Sequence, residues 1–252
     1  MLDTSVVSSQ LLYAAAVWPK VASYMRGVEA THRLCAIRIA CAFRPISDDA
    51  ALVIAGLVPI AEQARERAEM YELSRRDTHN PPTGVERESP RHETVRRWQM
   101  KWDSSTKGRW THRLIPDIKL WLERKHGQVD FHLTQMLSGH GCFRSYLKRF
   151  GHETEDWCPS CGRGIVEDAH HVFFECHRFE YERRQLEDEL ATSTSVGGIV
   201  PLMVANPKAW DATTRFAATI MRESYGERRG KGKCRRSKEE RLCEAMLCGR
   251  TA

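Results

Sequence analysis

The chain has 252 residues, 41% of them hydrophobic and 29% charged, with a formal net charge of +6. That is an ordinary soluble balance, long enough for one large or two small domains with real cores. The longest apolar runs are too short to span a bilayer, and Met1-Leu2-Asp3-Thr4 puts no basic region before an apolar run, so neither a membrane span nor a signal peptide is expected. Nine cysteines without a secretory signal point to a reducing compartment, where thiols bind metal rather than pair.

Residues 1–76 read as helices. Val21, Tyr24, Met25, Val28, Cys35, Ile39 and Ala42 recur at helical spacing, and Pro45 ends that run. Ser47 has the chemistry of an N-cap, with Asp48 and Asp49 in the first turn at the positive helix end. Adjacent aspartates can also hold a polymerase's two metal ions. Those need a rigid strand turn, however, and here they open a helix, so capping is the preferred reading. Gly56 stops this helix and Pro59 starts the next. Ile60, Ala64, Ala68 and Tyr71 form its apolar stripe, and Glu62, Arg65, Glu66, Arg67 and Glu69 read as a solvated face.

Residues 77–92 hold three prolines and a glycine and read as a linker. Residues 93–129 resume helical character as a basic, tryptophan-rich connection. Trp98 and Trp102 share a face, four apart, with Trp110 and Trp121 following. Arg91, Arg96, Arg97, Lys101, Lys107, Arg109 and Arg113 surround the first three. Bases stacking on aromatics beside phosphate-binding cations need this composition; a tryptophan core under a basic surface has it too. Residues 130–150 read as two short helices broken at Ser138-Gly139-His140-Gly141, where His140 either contacts phosphate or caps.

The most specific signal is Cys158-Pro159-Ser160-Cys161 followed by His171 and Cys176, with spacing C-x2-C-x9-H-x4-C. A Cys-x-x-Cys turn sets two thiolates on one tetrahedral ion, and two ligands returning from a second element complete a structural zinc site. Gly162 and Gly164 supply the permissive backbone for the turn. His170 and His177 are near-miss ligands; His171 gives the tighter return to Cys176. Phe179, Leu186 and Leu190 then predict a helix packing back on this module. Pro207 opens a last helix with Trp210, Ala217, Ile220 and Met221 inward. Residues 222–241 carry nine Lys/Arg against four Glu, a net +5 that makes up most of the chain's excess. Arg228, Arg229, Lys231, Lys233, Arg235, Arg236 and Lys238 in this flexible basic tail are poised to attract phosphates without reading sequence.

The fold expected is mainly α: a thumb-like segment over 1–76, the linker 77–92, the connection 93–129, a CCHC zinc module over 130–180, and C-terminal helices with a basic tail over 181–252. No phosphate-binding glycine loop is present, and Pro116-Asp117 is too weak a motif to carry chemistry.

Taken in order, the blocks resemble a known family. Ser9-Gln10-Leu11-Leu12-Tyr13-Ala14-Ala15-Ala16-Val17-Trp18, Arg38-Ile39-Ala40-Cys41-Ala42-Phe43-Arg44 and Ser47-Asp48-Asp49-Ala50-Ala51-Leu52-Val53-Ile54-Ala55-Gly56 are similar to successive segments of one group of reverse transcriptases. These belong to type-1 non-LTR retrotransposons, which insert into arthropod ribosomal RNA genes. Gly108-Arg109-Trp110-Thr111, Leu114-Ile115-Pro116-Asp117, Gln135-Met136-Leu137-Ser138-Gly139-His140-Gly141 and Phe143-Arg144-Ser145-Tyr146-Leu147 resemble later segments. The family's terminal CCHC motif falls on Cys158, Cys161, His171 and Cys176.

The resemblance implies the C-terminal fragment of a Pol polyprotein whose parent is an RNA-directed DNA polymerase with endonuclease activity, used in target-primed reverse transcription. The family's aromatic-x-Asp-Asp centre is absent from this sequence, so the catalytic palm, its magnesium and the recognised nuclease are expected upstream. No catalytic residue is assigned here. The expected role is nucleic-acid binding by Arg96, Arg97, Lys101, Arg109 and the tail cations, with structural zinc. The partners expected are element RNA and target DNA, with the element's own nucleocapsid-like protein as a further candidate, and with function in the nucleus and no membrane. The alternatives are an endonuclease built round the Cys-His region and a zinc-dependent protein-interaction module.

Overall fold

A computed structural model describes residues 22–77 and 89–230. Eleven α-helices are placed among them: α1 Ala22–Ile39, α2 Asp48–Ala55, α3 Ile60–Asp77, α4 Pro90–Ser104, α5 Arg109–Leu114, α6 Ile118–Glu123, α7 Phe131–Ser138, α8 Arg144–Arg149, α9 Glu180–Leu190, α10 Ile199–Ala205 and α11 Pro207–Gly230. The fold is mainly α, as the sequence predicts. The block Ser9–Trp18, Val21 and most of the linker lie outside the described residues. No helix among the described residues is long and apolar enough to cross a membrane.

Local chemistry sets the helix ends. The Ser47 hydroxyl accepts from Ala50 N at 3.3 Å, and Gly56 closes α2 in the left-handed conformation at φ 67°. The aspartate pair is tied down at this helix start: Asp48 pairs with Arg33, and Asp49 accepts from the Ser105 hydroxyl at 2.8 Å. Ser89 caps α4 through Arg91 N with Pro90 in the first turn, so α4 begins inside the stretch expected to be linker. Asp117 and Asp130 cap α6 and α7 in the same way, each accepting a backbone N–H of the first turn.

The main apolar core runs from Ala36 in α1 to Tyr225 in α11 and takes in Cys158, Phe173, Cys176 and Phe179 of the cysteine-rich stretch, while Val28, Ile60 and Ala64 form a second, small cluster between α1 and α3. Residues of the first segment, the tryptophan-rich connection, the cysteine-rich module and the last helix therefore share one core. The four inward residues expected of the last helix, Trp210, Ala217, Ile220 and Met221, are buried. α11 packs on α7, α9 and α10, and α3 packs on α4.

The charged face of α3 is only partly solvated. Arg97 of α4 donates to Glu62 at 2.9 Å and to Glu69 at 3.2 Å, and Arg91 reaches Glu66 at 3.3 Å. Trp98 and Trp102 are 1% and 0% exposed, and the Trp102 indole donates to the Ile115 carbonyl at 2.9 Å. Both tryptophans are core, which closes the stacking reading for these two rings.

Candidate metal centre

The stretch before α9 has little regular structure and is shaped by turns. A short antiparallel bridge joins Trp157 to Val166. Cys158 N donates to the Ile165 carbonyl and Glu167 N to that of Asp156, both at 2.7 Å. Between these arms the chain turns through Cys158–Cys161, with Gly162 at φ 102° and Gly164 at φ 96°. Residues with a Cβ rarely enter that region, so both glycines are required for the turn as built. The chain then enters a π-helical turn, His171–Glu175, capped by Asp168, whose carboxylate accepts from His171 N at 2.8 Å. Its widened hydrogen bond runs from Cys176 N to the His171 carbonyl at 2.7 Å. An i→i+5 turn stacks residues five apart, which brings the last two candidate ligands together.

One donor atom from each of Cys158, Cys161, His171 and Cys176 lies within 4.8 Å of the others. Cys176 Sγ is 3.7 Å from Cys158 Sγ and 3.8 Å from Cys161 Sγ. A metal–sulfur bond of about 2.3 Å puts tetrahedral sulfurs about 3.8 Å apart, so the spacing fits a four-coordinate ion such as zinc. Both His171 ring nitrogens are buried without a hydrogen-bond partner. The nearest carboxylate, Glu175, stands 3.6 Å from Nδ1, too far for a hydrogen bond. Leaving a buried imidazole unsatisfied is costly, and a coordinated ion removes that cost.

Electrostatics agree with a cation site. Burial lowers the pKa of the His171 imidazole, the direction that suits a ligand, which must be neutral to bind a metal. Burial raises the Cys158 thiol and, with the neighbouring cysteines adding to it, pushes Cys176 up to about 12. Raised in this way, the Cys158 and Cys176 thiols hold their protons until a dication among them favours the deprotonated form. The near-miss His170 faces the other way, with its ring 5.9 Å from that of Trp110 and 6.1 Å from that of Phe174.

Other expected site residues are scattered. Lys101 and Arg109 are exposed. Arg109 is bonded to the Asp103 and Ser105 carbonyls rather than to a carboxylate. Arg96 pairs with Glu93 at 2.6 Å. Arg97 is a correction: its guanidinium is turned into α3 and matched by glutamates, not presented to solvent. Arg228 is a second correction. Expected in a flexible tail, it lies in α11, 9% exposed, and donates to Glu153 at 2.7 Å. The side chain of Arg229, and Lys231, Lys233, Arg235, Arg236 and Lys238 entirely, lie outside the described residues. The His140 ring stacks on that of Tyr146, with 4.8 Å between centres. Sequence reasoning missed Glu153 and Glu167, buried carboxylates beside the metal module, because a short polar stretch gives no sign that its acids turn inward.

Fold and site together define a helical protein whose core incorporates a Cys3His module able to hold a metal ion. The chain is similar to the "Retrovirus-related Pol polyprotein from type-1 retrotransposable element R1 4" of Nasonia vitripennis, 26% identical over 249 residues, which cover 92% of this chain and 59% of that protein. It is also 28% identical over 204 residues to the corresponding R1 2 polyprotein of the same organism, spanning 75% of this chain and 49% of the relative. An R1 polyprotein of Bradysia coprophila is 35% identical over 83 residues, 33% of this chain and 8% of its own length. The chain thus spans roughly half the length of the first two relatives, and these are the type-1 retrotransposon Pol polyproteins that its sequence blocks resemble. No family model matches it, and no solved structure matches it significantly.

Proposed function

We propose that this chain is the C-terminal nucleic-acid-binding part of a retrotransposon Pol polyprotein, with one structural zinc held by Cys158, Cys161, His171 and Cys176. The observation that carries this reading is the buried Cys3His cluster, built into a chain related over 92% of its length to such a polyprotein. In the parent, RNA-directed DNA synthesis and target cleavage belong to other segments. This chain holds element RNA or target DNA in the nucleus while they act.

Two features argue against a catalytic role for these residues. The aspartate pair is engaged by Arg33 and Ser105. Among the carboxylates of the metal module, Glu153 and Glu167 are buried against arginines, and Asp168 accepts from His171 N at 2.8 Å. A nuclease or polymerase centre needs carboxylates open to a metal and substrate.

The test is a titration of the zinc-loaded 252-residue chain with labelled RNA, single-stranded DNA and duplex DNA at several salt concentrations. Binding that weakens steeply with salt, without nucleotide incorporation or cleavage when magnesium is added, is the expected result. No binding of any of the three at low salt overturns the proposal and favours a protein-interaction module.

A further inference from the structure

Of the four tryptophans in 93–129, Trp98, Trp102 and Trp121 are at most 1% exposed. Trp110 is only partly buried. Its indole donates to the Met136 carbonyl at 2.7 Å, and the ring lies so close to Gly139 that a Cβ there would come within 2.9 Å of it. The ring is therefore fixed in orientation, and the residue is not fully covered.

The metal turn supplies the rest of this surface. His171 points into the cluster, and its chain neighbours His170 and Phe174 turn toward Trp110, with ring centres 5.9 and 6.3 Å from it. Both stay partly exposed. The exposed guanidinium of Arg113 lies over the Trp110 ring, 5.3 Å from its centre, where it can stack between that ring and a base. Lys107 and Arg109 on the same segment are exposed as well. The acid in that segment, Asp103, is occupied by His112 at 2.9 Å and Gln99 at 2.8 Å. Glu175, exposed at the edge beside His170, is the opposing charge.

We propose that Trp110, His170 and Phe174, with Arg113 and Arg109, form a stacking site for unpaired bases of single-stranded nucleic acid. The proposal rests on the nucleic-acid reading above and replaces its stacking tryptophans. A fixed π-face beside cations matches a base and its phosphate, and single strands offer base faces that a duplex hides. Two of the three rings come from the turn that carries a metal ligand, so the site forms only when that turn is in place.

The experiment follows intrinsic tryptophan fluorescence of the zinc-loaded 252-residue chain during titration with a uridine 12-mer and with duplex RNA of equal length. The single strand should quench fluorescence more than the duplex. Arg113→Glu and His170→Ser, at accessible positions, should weaken the single-strand affinity about tenfold. Trp110→Phe, which keeps a ring, should remove the quench. Unchanged zinc content and helicity exclude misfolding, and Arg109→Glu supplies a further variant if one of these fails that check. Wild-type affinity in Arg113→Glu and His170→Ser, or equal quenching by duplex, overturns this site and leaves nucleic-acid binding to other cations. Absence of binding by the wild-type chain overturns the broader reading with it.

Discussion

Arg228 Nη1 donates to Glu153 Oε1 at 2.7 Å, and Arg228 Nη2 lies 3.8 Å from Glu167 Oε1. Glu153 also faces Arg144 at 3.5 Å. These two carboxylates flank the metal hairpin, and Arg228 sits near the end of α11, so a buried ionic network fastens the module to the last helix. Removing one member of a buried pair strands the other, at a cost of about 3–5 kcal/mol. Arg228→Ala should lose that much in urea unfolding, whereas Arg215→Ala, which breaks an exposed pair with Glu189, should lose under about 1 kcal/mol. Equal small losses in both would show that the Arg228 network is not buried in solution.

Metal removal should reach beyond the module. Cys158, Phe173, Cys176 and Phe179 belong to the same core as α7 and α11, so loss of the ion should loosen those helices as well. One zinc per reduced chain is expected. Chelation, or Cys158→Ser, should lower the melting temperature by about 10 °C or more and reduce near-UV circular dichroism. A chelated protein with unchanged melting would contradict a structural ion.

Trp98→Ala and Trp102→Ala each open a cavity in a fully covered site and should cost about 3–5 kcal/mol. Any fall in oligonucleotide affinity should track the unfolded fraction. A variant that folds at wild-type stability yet binds weakly would return these rings to the binding surface.

What the sequence made legible is mostly local. The four residues of the Cys3His cluster lie within one short stretch, and the Ser47 and Gly56 caps act on adjacent residues, so spacing alone picks them out. Trp98 and Trp102 share a face for the same reason, but which side of α4 is covered depends on packing by distant segments. Arg97 and Arg228 depart from the sequence expectation because the carboxylates that hold them, Glu62 and Glu153, are 35 and 75 residues away. A cation reads as solvent-facing until its partner's position is known. The His170–Trp110 contact is hidden for the same reason, since it joins two segments far apart in the chain.

Acid should destabilise the fold through buried histidine. Burial, and secondarily Arg149, holds the His140 pKa down to about 4, and burial also lowers that of His32. Above pH 6.5 neither folded nor unfolded chain binds the proton, and stability is unaffected. As pH falls from about 6.5 toward 4 the unfolded chain takes up a proton that the folded chain refuses, so stability is lost across that window, by about 3 kcal/mol for His140. His140→Gln should flatten the decline in urea stability between pH 7 and pH 4.5. A wild-type profile in that variant would place the acid sensitivity elsewhere.

The cations beyond Arg228 should govern salt dependence. Lys231, Lys233, Arg235 and Arg236 follow α11 in sequence, and the Arg228 network leaves Arg228 itself no free charge to offer. Each phosphate neutralised on a single strand contributes about 0.7 to the slope of log affinity against log salt. Replacing these four residues together by glutamine should therefore flatten the slope for a single-stranded RNA by about 3. Arg228→Gln should change stability first and the slope little, because its charge is already matched by Glu153. Measuring both variants by fluorescence anisotropy from 50 to 300 mM salt separates the two roles. A slope unchanged by the fourfold variant would show that the basic segment does not touch phosphate, and one flattened by Arg228→Gln alone, at intact stability, would show that the buried pair opens to the ligand.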